Sequence, residues 1–110
     1  MPRFVIFFAD TPETCGRMVE QPGDRTAAVR ASAEAVGARL EALYWMFGEA
    51  DGMVVLEAPD AQTVAAVALT SASTGTVRSL GTHQLFDQDE LQSVLATVRR
   101  GRAAFQAPGT

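Results

Sequence analysis

The sequence predicts an α+β fold, in which a four-stranded antiparallel sheet carries helices on one face. Three observations predict it: four β-branched or aromatic runs, two helix-periodic runs between the first and second and the third and fourth of them, and strands that are apolar on both sides. The order is β-α-β-β-α-β followed by one more helix, a ferredoxin-like βαββαβ pattern.

The first strand, residues 3–9 (RFVIFFA), sets Phe4, Ile6 and Phe8 on one side and Val5 and Phe7 on the other, as a central strand does. Residues 10–23 hold two prolines and two glycines and read as a loop, with a short helical turn near Pro12–Arg17. Asp24 opens a helix that reaches Val36, with Val29, Ala33 and Val36 in step and Gly37 as its stop. The second strand covers residues 38–47. Strict alternation places Leu40, Ala42, Tyr44 and Met46 on one side and Arg39, Glu41, Leu43, Trp45 and Phe47 on the other.

Gly48–Gly52 (GEADG) is a tight connection into the third strand, Met53–Ala58. Asp60 caps the next helix, whose stripe is Ala61, Val64, Ala65, Ala68 and Ala72. The fourth strand spans residues 76–86. Asp87 and Glu90 then form a capping box for a helix with Leu91, Val94, Leu95 and Val98 at i, i+3, i+4 and i+7. Residues 1–100 are thus one domain, and 101–110 are a tail after Gly101.

Right-handed crossovers put both inserted helices on the same side of the sheet. The other side stays open, and either parity leaves aromatic and aliphatic residues on it. Such a surface is rare on a soluble monomer. Face-to-face packing of two copies, a dimeric α+β barrel, resolves this, so the expected partner is a second copy of the chain.

Composition excludes several function classes. The net charge of −4 and pI near 4.8 lack the basic stripe that nucleic acid requires. Arg99, Arg100 and Arg102 sit where they offset the negative end of the last helix. A single cysteine gives no internal disulfide and no multi-cysteine metal site. The N-terminal apolar run is too short for a signal peptide or a membrane span, so no membrane is expected and a cytoplasmic location is. No P-loop, dinucleotide fingerprint, zinc spacing or nucleophile elbow occurs, and no cofactor or metal is expected.

Among candidate site residues, His83 is the only imidazole, the side chain suited to general-base work. Alternation groups it with Val77, Ser79, Gly81 and Leu85. On the open face it would project into a cleft between subunits; elsewhere it is a strand-edge histidine bonded to backbone or water. Cys15, beside Gly16 and Arg17, is either a thiolate nucleophile aided by the cation or a plain loop thiol. Tyr44, Trp45 and Phe47 offer ring faces for an apolar ligand, or for core or dimer packing. Arg39, Glu41, Glu57 and Arg78 read as cross-strand pairs, and Asp51 and Asp60 as turn and cap residues.

The turn Gly48-Glu49-Ala50-Asp51, the strand end Glu57-Ala58-Pro59-Asp60 and the later Gly75-Thr76-Val77-Arg78 resemble the GYD-domain family of small bacterial proteins in order and spacing, over residues 3–95. Two departures stand out: Ala50 replaces the motif tyrosine, and the fourth strand is one residue longer than the family spacing. The resemblance implies the same dimeric barrel and little about function. Three functions are therefore expected to compete. One is an oligomeric domain binding a small apolar or weakly acidic molecule in the barrel cleft. The second is a cofactor-independent oxygenase, isomerase or cyclase with His83 as base. The third is a structural or regulatory subunit.

Overall fold

A computed structural model describes residues 1–110. The elements are β1 (Arg3–Asp10), α1 (Pro12–Glu20), α2 (Arg25–Ala35), β2 (Arg39–Trp45), β3 (Gly52–Glu57), α3 (Ala61–Ser73), β4 (Val77–Leu85) and α4 (Gln88–Ala104). The strands form one antiparallel sheet in the order β2-β3-β1-β4. This is the expected α+β, ferredoxin-like arrangement with an added C-terminal helix.

Side-chain caps start the helices. Asp24 accepts from the Ala27 amide at 3.0 Å, and Asp60 accepts from both the amide and the hydroxyl of Thr63 at 2.8 Å. Asp87 and Glu90 satisfy each other's backbone amides, which completes the capping box. Two helices outrun their sequence signals. Thr11 caps α1 and Pro12 occupies its first turn, so the expected short turn becomes a helix to Glu20. The last helix continues through Gly101 to Ala104, because one glycine only weakens a helix.

One face of the sheet holds the core. Phe4, Ile6 and Phe8 of β1 join Leu40, Val54 and Leu56 beneath Ala33 of α2 and Val64 and Val67 of α3. Burying each large aliphatic or aromatic side chain contributes about 1.5–3 kcal/mol, so this layer dominates stability. Both inserted helices therefore lie on this side. By alternation Val5, Phe7, Met53, Val55 and Tyr44 point to the opposite face.

Two bulges overturn the strict alternation read from the sequence. In β2 the register steps between Leu40 and Ala42, so Leu40 shares the helix-covered face with Leu43 and Trp45 while Ala42 and Tyr44 face away. In β4 the register steps opposite Phe7 and Phe8, which leaves Leu80 unpaired. Val77 and Ser79 consequently lie on the helix side, whereas Gly81, His83 and Leu85 lie on the open side. The extra residue reverses parity along each strand.

Helix α4 buries none of its residues. The molecule measures 61 × 31 × 22 Å with a radius of gyration of 17.8 Å, against about 13 Å for a compact chain of this size. The 17-residue α4 accounts for the excess, since such a helix is about 25 Å long.

Gly52 fixes one contact in the sheet. A Cβ there would lie 2.5 Å from Phe8 Cζ and 2.9 Å from the Tyr44 carbonyl oxygen. The Phe8 ring thus lies over the glycine and meets Trp45 edge-on at 5.6 Å between centroids. Gly52→Ala should lower unfolding stability by about 1–3 kcal/mol, measured by urea denaturation. A variant as stable as the parent would show that the ring does not depend on the gap.

Candidate functional site

His83 stands exposed on the open face, paired with Val5 across β1–β4. Its ring meets the edge of Phe7 at 6.1 Å and reaches back over Gly81, where an added Cβ would lie 3.2 Å from Nε2. No side-chain hydrogen bond orients the imidazole. Tyr44 shares this face but belongs to β2, at the other edge of the sheet, three strand spacings or about 14 Å away.

The aromatic trio of β2 is divided. Trp45 and Phe47 lie together, stacked at 5.9 Å with planes 14° apart, and Trp45 turns to the helix side. Phe47 has φ 52°, a left-handed conformation that is strained for a bulky residue. Cys15 is exposed on α1, and no hydrogen bond reaches its sulfur.

The charged strand residues occupy one corner. Arg3 Nε donates to both Glu41 oxygens at 3.0 and 2.8 Å, and Glu57 lies 3.6 Å from Arg3 and 3.7 Å from Arg39. The Glu41 carboxyl is held below its ordinary range by hydrogen bonding with Glu57 and then by Arg3. These exposed cross-strand pairs match the sequence reading, except that Arg78 forms none.

Sequence reasoning missed a cavity on the helix-covered side. It occupies about 70 Å³ between α2, α3 and the sheet, with walls formed by Phe8, Val29, Leu43, Trp45 and Val67. One water takes roughly 10–15 Å³ of such space, so a compact organic molecule fits. The polar end holds Asp10, Arg25, Ser71 and Ser79. A neighbouring hollow shares Arg25 and Trp45 with the cavity.

Asp10 ends β1 under tight backbone restraint. Its amide donates to Asp51 Oδ2 at 2.7 Å, and the Asp51 amide donates to the Phe8 carbonyl at 2.8 Å. The Thr76 carbonyl accepts from the Thr11 amide and from the Thr14 hydroxyl, at 3.1 and 2.6 Å, pinning α1 to the start of β4. Asp10 Oδ2 itself is buried with no hydrogen-bond partner. Burial first, then the Asp51 charge, raises the Asp10 carboxyl above its ordinary value, and Arg25 partly opposes this. A β-strand followed by Asp-Thr-Pro marked a turn; only the tertiary fold shows Asp10 beside a cavity.

No three His, Cys, Asp or Glu side chains come together as a metal site needs. No helix is long and apolar enough to cross a membrane.

The GYD domain family model matches residues 4–95, and the chain belongs to that family. No curated protein and no solved structure matches it.

The Asp10 shift has a definite sign. The folded state resists ionisation, so it loses stability as pH rises from the unfolded value of 3.8 through the higher folded value. Asp10→Asn should therefore raise Tm at pH 7 by about 2 °C, with the advantage vanishing below about pH 3.8. Thermal melts across pH 3–8 check this, and a gain confined to acid would contradict the assignment.

Proposed function

Starting from membership of the GYD family, we propose that the chain is a non-enzymatic, self-assembling domain. Two copies pack their open sheet faces together as an α+β barrel, and the cleft between them takes a small apolar or weakly acidic molecule. The observation that carries this reading is the open face itself. Phe7, Met53, Val55 and Leu85 are only part-buried there, Tyr44 is 60% exposed, and no helix covers them. Apolar faces of this kind are buried in a partner.

Helix α4 supports the same reading from a second direction. Leu91, Val94, Leu95 and Val98 are each more than 40% exposed along one stripe, and an unsupported amphipathic helix draws its stability from packing. Both unpartnered surfaces belong to one chain, so a second copy covers them without another protein. A cofactor-independent enzyme would require His83 to be oriented by a polar group, and within one chain its aromatic neighbour is Phe7.

Size-exclusion chromatography with light scattering should give a mass of twice 11.7 kDa. Val55→Arg, which puts a charge at the centre of the open face, should give a folded monomer. A monomeric parent, or a Val55→Arg chain that remains dimeric, would defeat the assembly. Ligand in the cleft should be lost together with the dimer.

A further inference from the structure

We propose that α4 is a self-pairing helix, which docks antiparallel on the α4 of another copy with its apolar stripe against the same stripe. The contact adds to the sheet pairing of the proposed function and stands without it.

The stripe is symmetric along the helix. Leu91 and Val98 lie three residues outside Val94 and Leu95, and Asp87 and Arg102 lie four residues further out. Reversing the helix about the point between Val94 and Leu95 therefore returns apolar to apolar and exchanges acid for base. In such a pair Leu91 meets the partner's Val98, Val94 meets the partner's Leu95, and Asp87 meets the partner's Arg102. Spacings of three and four are those along which two helices interlock their side chains.

Charge fixes the direction. No basic residue stands between Asp87 and Val98, and no acidic one between Leu91 and Ala104. A parallel pair would stack Asp87, Asp89 and Glu90 on their own copies and Arg99, Arg100 and Arg102 on theirs, with the helix dipoles aligned. An antiparallel pair sets opposite charges and opposed dipoles side by side.

Nothing within the chain competes for the stripe, since its four apolar residues are each more than 40% exposed and α4 buries none of its residues. Beside it runs a hollow lined by Ser93, Val94, Thr97, Val98 and Gly101. A Cβ at Gly101 would meet nothing in its own chain, yet a glycine within a helix costs about 1 kcal/mol relative to alanine. The close approach of a second helix gives that glycine a use.

The helix contact and the sheet contact join different copies. Each α4 is attached to its sheet at the Asp87 end, so an antiparallel pair holds the two sheets at opposite ends of the helices. Face-to-face sheets lie directly over one another. Four apolar side chains a side are few beside the roughly 1,000 Å² of a stable interface, so the helix contact is weak and forms as concentration rises.

Two cysteine variants test the pairing, each with Cys15→Ser to remove the free thiol. Full chains carrying Leu91→Cys and Val98→Cys, oxidised together, should form a mixed disulfide identified by its mass. Leu91→Cys alone should cross-link about tenfold more slowly or worse, because the two positions then lie roughly 10 Å apart along the axis, beyond the roughly 7 Å that a disulfide spans. Sedimentation at rising concentration should show the parent associating beyond the dimer, and Leu95→Glu should need at least about tenfold more protein to do so. Thermal melts verify that each variant is folded.

The proposal fails if no mixed disulfide forms, if Leu91→Cys alone cross-links as fast as the mixture, or if Leu95→Glu associates as the parent does. Val55→Arg separates this contact from the sheet pairing. A mixed disulfide formed between Val55→Arg chains supports the helix pair whatever the fate of the sheet dimer. Its loss there would assign the cross-link to the sheet-held dimer and overturn this inference.

Discussion

Everything in this molecule follows from both crossover helices landing on the same side of the sheet. A right-handed β-α-β unit leaves little choice, and β1 between β3 and β4 makes the constraint severe. The central strand is apolar on both sides: Phe4, Ile6 and Phe8 lie under helices, while Val5 and Phe7 have none above them. One face becomes a core and the other stays without a helical cover.

The covered face is not filled uniformly, and Gly52 shows why. Without a side chain at that position, Phe8 lies down over β3 and reaches Trp45. Aromatic rings commonly cover strand glycines in this way. The adjoining turn then folds back, with both the Met46 and Phe47 amides donating to the Asp51 carbonyl, and Asp51 clamps the end of β1. That clamp positions Asp10 at the end of the cavity. The motif turn at Gly48–Asp51 thus couples sheet packing to the polar end of the cavity. Ala50, standing at the motif-tyrosine position, is itself buried in the turn.

Much of this was legible in the residues. The caps at Asp24, Asp60 and Asp87 each mark a helix start correctly, because a side-chain acceptor followed by an apolar periodic run has a local cause. The two-faced character of β1 needs only alternation. The partition of site residues was not legible, because one inserted residue reverses every later side chain. The Glu41 bulge puts Leu40 on the same side as Leu43 and Trp45, where strict alternation groups it with Ala42 and Tyr44. The Leu80 bulge parts His83 from Val77 and Ser79. In β4 a hint existed, since an extra residue relative to the family spacing has to be absorbed somewhere. Asp10 gave none: its burial depends on α2, α3 and β4 closing around it, contacts remote in sequence.

Helix α4 brings these strands of reasoning together. It follows β4, which ends at Leu85, and its first turn is closed by the reciprocal bonds of Asp87 and Glu90. No residue of the helix is buried, so it does not cover the open face of its own sheet. The apolar stripe of α4 and the apolar face of the sheet therefore remain separate and uncovered within one chain. The internal cavity is under no such demand, since one chain supplies its walls and its polar end. The cavity and the uncovered apolar surface thus lie on opposite faces of the same four strands, with β1 contributing alternate residues to each.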